Sequence, residues 1–67
     1  MNLVINGESR FLESDTFNVA TLLEALGFGG KPVVVELNEE AVFPASYPTT
    51  DIKEGAKLEI VMIAAGG

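Results

Sequence analysis

The chain has 67 residues, a formal net charge of −6, and neither Cys nor His. That length holds one domain with one modest core, and the missing residue types exclude thiol nucleophiles, imidazole bases and the common zinc sites. An apolar share of 48% gives the chain more to bury than a disordered acidic segment has, while the negative charge argues against nucleic acid or an anionic membrane as partner and for a basic protein.

The first elements follow from local signals. Residues 1–5 read as a strand, and Asn6-Gly7 supplies the positive φ that a type I′ hairpin turn requires. Residues 9–12 are then the return strand. After the polar stretch 13–16, Val19, Leu22, Leu23 and Leu26 fall on one stripe of an amphipathic helix over residues 19–26. Asn18 stands where an N-cap belongs, Phe17 is placed to staple against Leu22, and Gly27 provides the left-handed residue that ends the helix. This is the one helix expected.

Residues 28–32 form a loop, and Pro32, which lacks an N–H, delays the next strand to Val33. The β-branched run 33–37 reads as a central strand. Asn38-Glu39-Glu40 turns the chain, residues 41–43 make a short edge strand, and 44–51 cross irregularly, held by Tyr47. Glu54-Gly55 is a turn, and 58–63 is the last strand. If the first and last strands pair in parallel at the sheet centre, the helix packs diagonally across one face. That order of elements gives an α+β, ubiquitin-like β-grasp domain with a mixed sheet of four or five strands over residues 1–63, followed by a flexible tail over 64–67. Alternation places Leu3, Ile5, Leu58, Ile60 and Met62 on the helix-facing side and Val4, Val34, Val61 and Ile63 on the other. So short a chain has no second layer to cover the latter four, which makes them a candidate partner-binding patch.

These features resemble the ThiS family, the sulfur carriers of thiamine biosynthesis. The resemblance covers the whole chain. It rests on the Asn6-Gly7 hairpin, the helix closed by Gly27, the run from Pro32 to Asn38, and the last strand leading into Gly66-Gly67. The chain differs in having Ala64-Ala65 where many members carry more glycine, and Ala45 where a basic residue is frequent.

The resemblance implies a protein co-substrate and not an enzyme. The Gly67 carboxylate would be adenylated with ATP by an E1-like (ThiF-type) enzyme, then converted to a thiocarboxylate that gives sulfur to a ThiG-type thiazole synthase. A sulfur-donating protein would be a further partner, and no cofactor would be bound. Ala64, Ala65 and Gly66 would form the tail that reaches the nucleotide site, where glycine, lacking a Cβ, permits close backbone approach. Three other readings stay open: a molybdopterin-type carrier, a ubiquitin-like modifier, and an inert β-grasp interaction module.

Other constellations carry less. Glu39-Glu40 and Asp51 with Glu54 are solvated carboxylates without the oxygen-ligand spacing of a calcium loop. Ser46, Tyr47, Thr49 and Thr50 have no His to activate a hydroxyl. Gly27, Gly29 and Gly30 follow a helix, which is the wrong setting for a phosphate loop. No apolar run reaches the ~20 residues of a membrane span, and Asn2, Asn6 and Gly7 break up any leader-like N-terminus. A soluble cytoplasmic protein, monomeric when free, is expected.

Overall fold

Asn6 and Gly7 adopt φ of 52° and 81°, the left-handed pair that a type I′ turn needs. They join strand β1, Asn2–Ile5, to β2, Glu8–Phe11, in an antiparallel hairpin. The structure is a computed structural model that describes residues 1–63. The expected flexible tail over 64–67 lies outside the described residues.

A two-residue strand β3, Phe17–Asn18, leads into helix α1, Val19–Ala25. Asn18 caps it as expected, its Oδ1 accepting from the Thr21 N–H at 2.8 Å. The Thr21 hydroxyl in turn accepts from the Asn18 N–H at 3.0 Å, completing a reciprocal capping box. At the far end the Gly27 N–H donates to the Glu24 carbonyl at 3.1 Å and the Phe28 N–H to the Leu23 carbonyl at 2.8 Å. With Gly27 at φ 86°, this is a Schellman closure.

Strand β4 spans Val33–Leu37, β5 Glu40–Val42, β6 Asp51–Ile52 and β7 Lys57–Met62. Asn38 and Glu39, at φ 49° and 71°, make a second left-handed turn between β4 and β5. The main sheet runs β2-β1-β7-β4-β5, and β1 pairs with β7 in parallel, so the first and last strands meet at the sheet centre as expected. The other pairings are antiparallel.

The core joins Leu3, Ile5, Val35, Leu58 and Ile60 of the sheet to Val19, Leu22 and Leu23 of α1. Leu26, expected in the same stripe, is half-buried against that cluster. One side assignment holds without the burial that usually goes with it. Met62 shares the helix-facing side, opposite Val33, yet is 48% exposed. Period two fixes the side of a sheet but not how far the covering layer extends along it, and Met62 is the last residue of its strand.

Two features are finer than the sequence pattern. Residues expected to be irregular form a 3-10 helix over Pro44–Thr49, where Pro48 withholds an N–H from any longer helical ladder. The Tyr47 hydroxyl donates to the Val33 carbonyl at 3.3 Å, so Tyr47 does hold the crossing segment to the sheet. In addition β3 and β6 form a small antiparallel pair, Phe17 facing Ile52 and Asn18 facing Asp51.

Candidate functional site

Strand β7 carries the chain toward its diglycine end, so whatever fixes β7 fixes where that end departs. Its neighbours hold it on both sides. Asn6 extends the parallel ladder with its side chain, Nδ2 donating to the Ile60 carbonyl at 3.0 Å and Oδ1 accepting from the Ile60 N–H at 2.7 Å. From the other side Asn38 brackets Lys57. Its backbone N–H donates to the Lys57 carbonyl at 2.7 Å, and its Oδ1 accepts from the Lys57 N–H at 3.0 Å. The turn residues that set both hairpins therefore also anchor the central strand. Beyond Met62 the Ile63 N–H donates to the Pro32 carbonyl at 3.0 Å. Ala64, Ala65, Gly66 and Gly67, singled out from the sequence, lie outside the described residues.

The outer face of the sheet divides into rows set by register. Val34 faces Val61 across β4 and β7, with exposures of 49% and 60%, and Ile63 follows at 49%. Phe43, at the end of β5 and 71% exposed, was not among the expected patch residues. The next row holds Glu36 directly opposite Glu59. The row after that pairs Val4 with Lys57.

Val4 is therefore a correction. It shares the outer face, but it is half-buried and stands four residues along β7 from Val61, about 13 Å at ~3.3 Å per residue. The acidic row lies between them. The apolar patch consists of Val34, Val61 and Ile63, without Val4. Alternation had placed all four on one face correctly; only the parallel register separates them.

The remaining surface offers little chemistry. A groove at the β3–β6 end is lined by Met1, Phe17, Thr21, Ile52 and Glu54 among others. There the Glu54 carboxylate accepts the Asn2 N–H with both oxygens, at 2.9 and 3.1 Å, and this bond holds its pKa below the ordinary glutamate value of 4.5. The arrangement ties β1 to the turn before β7. Among the described residues no acidic cluster could hold a metal ion, and no helix is long and apolar enough to cross a membrane.

A family model described as the ThiS family matches residues 3–67. The chain belongs to the ThiS family. Among similar proteins, the sulfur carrier protein ThiS of Thermus thermophilus is 38% identical over 63 residues, covering 94% of this chain and 95% of that one. A thiazole synthase of Paramagnetospirillum magneticum is 45% identical over 67 residues. The ThiS-family chain matches that relative along its whole length but spans only 20% of it. The crystal structure of the thiamine biosynthesis protein ThiS from Geobacter metallireducens superposes with a TM-score of 0.86 at 33% identity, covering 100% of both chains. The β-grasp fold expected from the order of elements is thus the fold of the family.

Proposed function

We propose that this chain is a sulfur carrier of thiamine biosynthesis and that Gly67 is its working residue. The observation that carries the reading is the family match, which runs through to Gly67 on a fold whose central strand leads toward that residue. A carboxylate is a poor acyl electrophile until its oxygen is given a leaving group. A ThiF-type partner supplies one: a Gly67 oxygen attacks the α-phosphorus of ATP, pyrophosphate departs, and an acyl adenylate forms. Sulfide delivered by a sulfur-donating protein then attacks the acyl carbon. The bond to AMP breaks, and the carbon is left as a thiocarboxylate. Its sulfur is a nucleophile suited to building a thiazole ring, and the thiazole synthase relative supports a ThiG-type acceptor.

In this scheme the carrier supplies the reacting carboxylate and the surface that presents it, while the partners supply the catalysis. The apolar patch of Val34, Val61 and Ile63 is the surface by which they hold the domain as the tail enters the nucleotide site.

The test is ATP–pyrophosphate exchange with the adenylating enzyme of the same organism, alongside intact mass after addition of sulfide. Wild type should support exchange and gain one sulfur in place of one oxygen. Deleting Gly67 shortens the reach by about 3.3–3.6 Å, more than near-attack geometry tolerates, so exchange should fall by roughly two orders of magnitude or more. Full exchange by a folded Gly67 deletion refutes the role of Gly67. Stable conjugation to lysines would point to a modifier instead.

A further inference from the structure

The antiparallel register of β4 and β7 sets Glu36 directly opposite Glu59 on the outer face. Residues so paired hold their Cβ atoms about 4.5–5.5 Å apart, and like charges in that position repel. Glu36 is exposed and Glu59 half-buried. The nearest cation by register is Lys57, on the same face of β7 but one row further from the patch. The acid pair abuts Val34 and Val61, whose own side chains are about half exposed. In the free chain this arrangement opposes stability, and it borders the apolar patch on the side away from Ile63.

We propose that the exposed face of β4 and β7 docks its partner through an arginine seated over Glu36 and Glu59, flanked by apolar side chains resting on Val34 and Val61. The planar guanidinium, with five N–H donors in a fixed fork, can serve two carboxylates at once, which a lysine's point charge does less well. Its weak hydration also suits a site beside an apolar patch. A second copy of the chain does not fit, because it brings a surplus of six negative charges of its own. The inference rests on the carrier reading above, since the partner is the enzyme that adenylates Gly67. The acid pair then selects that partner: an apolar surface without a cation would bury two carboxylates unpaired.

The experiment uses the full chain carrying Glu36→Gln and Glu59→Gln together, compared with wild type in ATP–pyrophosphate exchange with the adenylating enzyme of the same organism. The KM for the carrier should rise about tenfold or more at low salt, with kcat unchanged because the tail is untouched. Wild-type KM should climb with ionic strength, and that dependence should flatten in the variant. The unfolding midpoint of the variant should equal or exceed that of wild type, because the cross-strand repulsion is gone. An unchanged KM in the folded variant, against normal wild-type exchange, overturns this inference alone. A lowered unfolding midpoint overturns it as well, by showing that the pair supports the free sheet. No exchange even by wild type defeats the carrier reading and this inference with it.

Discussion

Replacing Asn6 separates two contributions made by one residue. Asn6→Gly keeps the freedom to adopt φ of 52° but removes both side-chain bonds to Ile60. Each such bond contributes about 0.5–1.5 kcal/mol net. The two together make the loss about 1–3 kcal/mol, with the upper end applying if the Ile60 N–H and carbonyl find no water. Asn6→Ala loses the same bonds and also forces a Cβ-bearing residue without local hydrogen bonding into the left-handed region, which adds about 1–2 kcal/mol. A chain of this length has roughly 3–10 kcal/mol of stability in all, so the alanine variant should approach the limit of folding. Urea unfolding of the three proteins reads the differences directly, and hydrogen exchange at the Ile60 amide reports the local opening. A glycine variant within about 0.5 kcal/mol of wild type would refute the claim that Asn6 anchors β7. Equal stability of the alanine and glycine variants would refute the backbone half of the argument.

Leu22 is fully buried in the core, so Leu22→Ala should cost about 2–5 kcal/mol; an unchanged unfolding midpoint would contradict the packing of α1 on the sheet. Glu54 has a pKa lowered chiefly by the Asn2 N–H. Its folded pKa lies below its unfolded one, so its contribution is present above the unfolded value and is lost as pH falls through the folded value. The stability difference between wild type and Glu54→Gln should accordingly shrink as pH falls below the ordinary value of 4.5. A difference that stays constant into acid would show that the bond to Asn2 does not favour the ionised form.

The parts of the fold legible in the sequence are those that a few adjacent residues decide. Asn6-Gly7, Asn18 and Gly27 each impose a local backbone geometry, and each stands where the structure needs it. The parallel pairing of β1 with β7 followed from the order of elements. What escaped depends on register or on distant contacts. Strands β3 and β6 are too short to show a period. The side chain of Asn6 bonds a residue 54 positions away. Val4 was placed on the right face but in the wrong neighbourhood, because alternation says nothing about how far one strand slides along another. At the candidate site, the glycines and the apolar residues were visible as types, whereas the opposition of Glu36 and Glu59 emerges only once β4 and β7 are aligned.

The seam between β1 and β7 has a consequence for how the protein is made. During synthesis the β1–β2 hairpin and the β4–β5 hairpin emerge from the ribosome with no strand between them. The strand that joins them, β7, emerges after both. Domain folding waits for such non-local pairings because loop closure comes before the contacts that reward it. A nascent chain stopped short of β7 therefore leaves two open sheet edges and an uncovered helix stripe, features that quality-control proteases and chaperones engage. Until β7 is in place neither hairpin has its neighbour, so the main sheet closes in a single late step.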